Sequence, residues 1–179
     1  MEPTTLARVG APAPDFKAEG YAPDGSFKTY SLAENKGKWV VLFFYPADFT
    51  FICPTEITEF STHNADFAAL NAVVFGASTD SVHSHKAWGE GKLGKLNYPL
   101  LADSNHSLST KYGVLIPDQG QALRGTFVID PEGFLRYALY HDLGVGRSVK
   151  ECLRVVAALQ TGELCPASWE PGKPTLGKA

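Results

Sequence analysis

"KWVVLFFYPADFTFICPTE", Lys38 to Glu56, is the stretch on which the reading of the fold turns. Its first half is a continuous apolar run rich in Val and Phe, ended by Pro46. Such a run fits a strand buried on both faces, as in a parallel sheet covered by helices. Beyond it, Ile57, Phe60, Phe67 and Leu70 are spaced for one apolar face of a helix over Pro54 to Leu70. A cysteine, Cys53, stands at the join with Pro54 directly behind it.

Working outward, the N-terminal "DFKAEGYAPDGSFKTYSL" holds two short extended pieces around Pro23-Asp24-Gly25-Ser26 and reads as a hairpin. "AVVFGAS" and "YPLLAD" read as further strands, "SVHSHKAWGEGK" as a helix, and "SLSTKYG" as a short helix ending at Gly113. "GTFVIDPEGFLRYALYH" gives two strands joined by a tight turn at Asp130-Pro131-Glu132-Gly133. Leu153, Val156, Ala157 and Gln160 give helical spacing to "SVKECLRVVAALQTG". The last stretch, "ELCPASWEPGKPTLGKA", has three prolines and two glycines and reads as an extended tail. The alternation of strands and helices predicts an α/β fold. Specifically, it predicts a thioredoxin-like sandwich: a central mixed sheet, helices on both faces and an N-terminal β-hairpin. In open α/β sheets, sites lie at the carboxyl ends of strands, where Cys53 falls.

The 179 residues suffice for one domain whose core needs neither disulfide nor metal. A net charge of −3 argues against a general nucleic-acid binder. The start "MEPTTLARVG" lacks a basic run followed by an apolar stretch, and "WVVLFFY" is too short to span a bilayer. Neither a signal segment nor a membrane partner is expected, and the cytoplasm is the default compartment. The cysteines, Cys53, Cys152 and Cys165, contain no C-x-x-C pair, so free thiols are expected rather than a zinc site. No metal and no cofactor is expected; His83-x-His85 lacks further ligands at suitable spacing.

The position of Cys53 has a physical consequence. Pro54 suits the first position of a helix, which would put Cys53 at the N-cap or in the first turn, facing free backbone N–H groups. An ordinary thiol is only about 3% thiolate at pH 7, and lowering a thiol pKa to about 6 takes roughly 3.4 kcal/mol. A helix N-terminus supplies about 0.3–2 kcal/mol. A cation about 4 Å away supplies up to about 4 kcal/mol at intermediate dielectric. Glu56, at capping-box spacing, would oppose the anion unless a cation lay between them. The position therefore demands an arginine from elsewhere in the chain. Residues alone leave open the alternative that Cys53 is a buried packing residue.

Pro46-Ala47-Asp48-Phe49-Thr50-Phe51-Ile52-Cys53 matches P-x-x-x-T-x-x-C. Here the chain resembles the peroxiredoxins of the typical two-cysteine group, those similar to the peroxide-reducing component of bacterial alkyl hydroperoxide reductase. "LRGTFVIDPEG" supplies Arg124, "VGRSVKE" supplies Arg147 and "ELCPASW" supplies Cys165 at further family positions; the resemblance runs from about Val9 to Trp169. It implies a thiol peroxidase for hydrogen peroxide and organic hydroperoxides. Cys53 would be the peroxidatic nucleophile and Arg124 its activating cation. Thr50 would offer its hydroxyl to the sulfur or the peroxide, Pro46 would shield the pocket, Glu56 would orient the arginine, and Arg147 is a second family arginine. Cys165 would form an intersubunit disulfide with Cys53, restored by thioredoxin or a dedicated flavoprotein reductase. A homodimer is implied, with a ring of five dimers as the larger assembly. The expected organisation is a peroxiredoxin domain over residues 1–163 and a tail over 164–179 carrying Cys165.

Two other readings stand beside this one: an oligomeric holdase chaperone, and a thioredoxin-like disulfide exchanger, which the lack of C-x-x-C disfavours. Cys152 matches no motif and reads as a spectator. Trp88 and Trp169 read as packing residues. Easily overoxidised members carry G-G-L-G and a C-terminal Tyr-Phe helix. Gly91-Lys92-Leu93-Gly94 matches the first imperfectly, and "EPGKPTLGKA" has no Tyr-Phe pair, so resistance to overoxidation is expected.

Overall fold

The computed structural model describes residues 6–178. Residues 1–5, within the N-terminus considered for a signal segment, and Ala179 at the end of the tail lie outside them. The strands are β1 (Lys17–Tyr21), β2 (Phe27–Ser31), β3 (Trp39–Phe44), β4 (Ala72–Ser78), β5 (Leu100–Ala102), β6 (Leu115–Ile116), β7 (Gln121–Ala122), β8 (Arg124–Ile129) and β9 (Leu135–His141). The helices are α1 (Cys53–Thr62), α2 (Asn64–Ala69), α3 (Val82–Trp88), α4 (Ser107–Lys111) and α5 (Val149–Gln160). Seven strands form one sheet in the order β2-β1-β5-β4-β3-β8-β9, and β6 and β7 pair separately. β3, β4 and β5 run parallel; the β1/β2, β1/β5, β3/β8 and β8/β9 pairs are antiparallel. This is the mixed sheet of a thioredoxin-like fold.

Successive side chains of a strand point to opposite faces, and β3 shows both faces in use. Val41 and Phe43 belong to one apolar cluster, with Ile57 and Phe60 of α1, Phe67 of α2 and Val149 and Val156 of α5. Val40, Leu42 and Phe44 belong to the other, with Leu108 of α4, Tyr112 and Phe127. From Val40 to Tyr45 every residue is at most 1% exposed, so the unbroken apolar run has its cause in burial on both sides.

Three expectations are corrected. The helix over Pro54 to Leu70 is interrupted at His63 (φ −91°, ψ 9°). Thr58 and Thr62 turn their hydroxyls back onto the carbonyls of Pro54 and Thr58, which loosens the end of α1. The helix over "SVHSHKAWGEGK" is α-helical only to Trp88 and continues as a π-helical turn over Gly89–Leu93. The tail is not extended. Leu164 N–H donates to the Gly177 carbonyl and Leu176 N–H to the Leu164 carbonyl, both at 2.8 Å. Its glycines and prolines make turns, with Gly172 at φ 86°, and Trp169 is buried. No helix among the described residues is long and apolar enough to cross a membrane.

Candidate active site

Cys53 is the first residue of α1, with Ile52 as N-cap and Pro54 at the second position. No side chain caps this end, but the expected cluster of free amides is not there: Pro54 has no N–H, and the N–H groups of Thr55 and Glu56 donate to the Ile52 carbonyl at 3.0 and 3.4 Å. The sulfur is fully buried. Glu56, one turn on, does not close a capping box. Its carboxylate turns to two buried arginines that come from β8 and from the segment before α5.

Arg124 opens β8. The β3/β8 register runs from Val40↔Ile129 to Phe43↔Thr126. Two further steps bring Arg124 to the level of Tyr45, just past the end of β3, where the loop to Cys53 departs. There Arg124 Nη1 donates to Cys53 Sγ at 3.4 Å and to Glu56 Oε2 at 2.5 Å, while Nε donates to the Leu143 carbonyl at 2.9 Å. One nitrogen therefore lies between the thiol and the carboxylate, which is the arrangement expected of an activating cation. Nη2 has no hydrogen-bond partner among the described residues.

Arg147 completes the site from behind. Its backbone N–H and Nε both donate to Glu56 Oε1, at 2.9 and 2.8 Å, and Nη2 donates to Oε2 at 3.1 Å. Its other bonds go to the Gly125 carbonyl, Thr126 Oγ1 and the Phe44 carbonyl, which ties α1 to β3 and β8. Arg147 thus touches Glu56 but not the sulfur. Burial works to raise the Glu56 pKa, but the hydrogen bonds and charge of Arg147, with the Arg124 charge behind them, hold it below the usual 4.5.

The AhpC/TSA family matches residues 9–138 of the chain. Peroxiredoxin prdx-2 of Caenorhabditis elegans is 54% identical over 95% of this chain and 89% of its own length. Putative peroxiredoxin YkuU of Bacillus subtilis is 53% identical over 94% and 97%. The chain belongs to the peroxiredoxins. Among solved structures, the reduced 2-Cys peroxiredoxin of Plasmodium vivax superposes with a TM-score of 0.90 at 39% identity, covering 93% of this chain and 91% of that one. AhpC of Enterococcus faecalis gives 0.85 at 37% identity, over 90% and 100%. The enzyme is accordingly a thiol-dependent peroxidase.

Two other expected site residues of this peroxiredoxin, Pro46 and Thr50, lie on the loop between β3 and Cys53. Pro46 is buried at the end of β3. Thr50 is half-buried, and its hydroxyl donates to the Ala47 carbonyl at 2.9 Å rather than to sulfur. The residue between Asp48 and Thr50, Phe49, has φ 58°, a strained conformation for a bulky side chain. Cys165 is apart from Cys53: its sulfur lies 3.7 Å from the Ala158 carbonyl and 3.5 Å from Thr161 Oγ1, at the end of α5. Cys152 is buried in the core, and burial pushes its thiol up to about 12, so it stays protonated.

A buried polar cluster that anchors the loop was not legible in the sequence. Asp48 accepts from Tyr45 Oη at 2.8 Å and Ser84 Oγ at 2.7 Å, and its backbone N–H donates to Asp80. His85 Nδ1 lies 2.8 Å from Asp48 Oδ2, and its Nε2 donates to the Leu101 carbonyl at 3.1 Å. His85 is thus engaged on both nitrogens, while the ring of His83 meets Phe27 edge-on. The only available signal was His83-x-His85, which without further ligands at suitable spacing pointed to no particular partner.

Proposed function

We propose that this peroxiredoxin reduces hydrogen peroxide and organic hydroperoxides through a Cys53 sulfenic acid and a Cys53–Cys165 disulfide. The observation that carries the reading is the single Arg124 nitrogen bonded to both Cys53 Sγ and Glu56 Oε2. In the first step the ionised sulfur attacks the distal peroxide oxygen and the O–O bond breaks. The sulfur gains OH, and the leaving alkoxide or hydroxide takes up the proton lost by the thiol. Arg124 Nη2, left without a partner among the described residues, is the donor available to the leaving oxygen as charge builds there. Glu56 and Arg147 keep the guanidinium plane in place, Pro46 limits water, and Thr50 is within the loop that would meet the peroxide. In the second step the Cys165 sulfur displaces OH from the sulfenic acid. A disulfide forms, and the thiol proton leaves with the OH as water.

The bond joins two subunits of a homodimer in this reading, and a ring of five dimers is the larger assembly. A thioredoxin-type dithiol or a dedicated flavoprotein restores both thiols. The chain functions as a peroxidase domain over residues 1–163 with the tail over 164–179 supplying the second thiol, in the cytoplasm. Exposure to one equivalent of hydrogen peroxide followed by non-reducing electrophoresis tests the scheme. Wild type and Cys152→Ser are expected as disulfide-linked dimers. Cys53→Ser is expected to consume no peroxide, and Cys165→Ser to react once and halt as sulfenic acid. Normal turnover by Cys53→Ser would sink the mechanism, and a monomeric oxidised wild type would sink the intersubunit bond.

A further inference from the structure

The loop that carries the chain from β3 to Cys53 turns much of itself outward. Phe51 is 94% exposed and Phe49 59%, and the Thr50 hydroxyl is spent inside the loop, on the Ala47 carbonyl. Between Pro46 and Phe51, Asp48 alone is hydrogen-bonded to other elements among the described residues. Its side chain is 1% exposed. Oδ1 accepts from Tyr45 Oη at 2.8 Å. Oδ2 accepts from Ser84 Oγ at 2.7 Å and lies 2.8 Å from His85 Nδ1. The Asp48 backbone N–H donates to Asp80 Oδ2 at 2.9 Å, just past β4. His85 carries the hold onward through Nε2 to the Leu101 carbonyl of β5, at 3.1 Å. One residue along the loop, the Phe49 ring lies 5.7 Å from that of Trp88. Ser84, His85 and Trp88 all belong to α3, so this helix is the shelf on which the loop rests.

We infer that Asp48 is a positioning residue for the peroxide step: gripped by α3, it sets the path of the loop and with it the place of Thr50. Thr50 stands two positions after Asp48 and three before Cys53 (50 − 48 and 53 − 50). The residue between, Phe49, is held at φ 58°, which a bulky side chain keeps only where its surroundings fix it from both sides. On one side the fix is Asp48, and on the other the start of α1. A buried carboxylate that takes hydrogen bonds from several donors is a strong anchor. Without it Phe49 can relax, and the chain leaves it in another direction, carrying Thr50 away from the sulfur. The second step has the opposite need. The Cys53 sulfur is fully buried and the Cys165 sulfur rests at the end of α5, so Cys53 must come out before a disulfide can form. The Asp48 anchor thus favours the first step and does not assist the second. The inference rests on the reading that Cys53 reacts first with peroxide and then with Cys165.

The test separates the two steps by rapid mixing of the reduced protein with hydrogen peroxide. In Asp48→Ala, sulfenic acid formation at Cys53 is expected to slow about tenfold, the order of effect for losing hydrogen bonds to a charged group. Disulfide formation, followed at peroxide high enough that the second step alone limits, is expected at or above the wild-type rate. Asp48→Asn keeps the shape and one acceptor oxygen, and should recover part of the first rate. Ser84→Ala removes a single donor from α3 and should slow the first step about threefold. Iodoacetamide labelling of Cys152, buried in the core, reports general loosening and should stay at the wild-type level in each variant. A first step at the wild-type rate in Asp48→Ala would overturn the inference, as would equal slowing of both steps. If Asp48→Ala exposes Cys152, Ser84→Ala decides, and its equality with wild type in the first step would overturn the inference. Cys53→Ser serves as the separate control. If it consumes peroxide normally, the underlying reading fails; if it is inert while Asp48→Ala matches wild type, only the anchor fails.

Discussion

The two thiols proposed to act in sequence occupy opposite ends of helices. Cys53 opens α1, and its sulfur is fully buried against a guanidinium that is itself 4% exposed. Cys165 follows the end of α5, half-buried, against a carbonyl and a hydroxyl. The first site is held by charged hydrogen bonds from three separate elements, so its geometry is set before any peroxide arrives. At the second, the sulfur itself is held only by weak contacts, so it is the easier of the two to displace. A nucleophile that must meet a short-lived charge profits from rigidity. A thiol that must travel to its target needs release.

Breaking the rigid side should cost most. Glu56→Gln removes the carboxylate that bridges Arg124 and Arg147 and leaves two buried guanidinium groups facing each other. Loss of one partner from a buried ion pair typically costs about 3–5 kcal/mol, and a drop of that order in denaturant stability is expected. An unchanged midpoint would mean that the arginines are held by their backbone carbonyls alone.

Arg124→Ala leaves the fold largely intact but removes the donor at the sulfur. The rate of the first step should fall about 10²–10³-fold, as when one donor is taken from an anion-stabilising site. Arg124→Lys should lie between, because the ammonium cannot serve the thiol, Glu56 and the Leu143 carbonyl together. Stopped-flow reaction of the reduced enzyme with hydrogen peroxide measures both; equal rates in Arg124→Lys and wild type would show that charge alone suffices.

Acid should weaken the same region by a smaller amount. The folded Glu56 carboxyl titrates below its ordinary 4.5, so its contribution is fully present above that pH and is lost as the pH falls through the folded value. Stability measured from pH 6 downward should decline below about 4.5, and the decline should flatten in Glu56→Gln. If the variant showed the same slope, other carboxylates would be responsible. On the movable side the effects should be least. Thr161→Val deletes the hydroxyl near Cys165 and should alter disulfide formation by no more than about twofold, because sulfur contacts are weak. A tenfold change would erase the contrast between a fixed and a released thiol.

The parts of this contrast were unequally legible. The junction at Cys53 could be read directly, since a doubly buried strand, a proline stop and a helical repeat are all local signals. Cys165 and Arg124 could be recognised only by family resemblance, because neither lies near in sequence to a residue whose chemistry calls for it. The tail misled: prolines and glycines signal turns, but nothing in their spacing says whether the turns close. Trp169 was legible as a packing residue, yet its anchor Arg154, whose Nη1 donates to the Trp169 carbonyl at 3.0 Å, was not, being one of several charged residues on an amphipathic helix. Asp48 and His85 stayed hidden because they lie 37 positions apart and meet only through the packing of β3, β4 and α3.

By itself the sequence determined the α/β alternation, the strand that takes both faces of the sheet, and the placing of a thiol at a helix start. These rest on hydrophobic periodicity and end-capping, interactions that span a few residues and are settled by local geometry. Only the tertiary structure decided which cation reaches Cys53, why a carboxylate one turn away is tolerated, and where the tail is fastened. Arg124 and Arg147 stand 71 positions from Cys53 and 91 from Glu56 respectively. Their arrival depends on the β3/β8 register and on the turn into α5. A shift of one residue in that register would turn Arg124 to the other face, and no short-range signal in the chain encodes it.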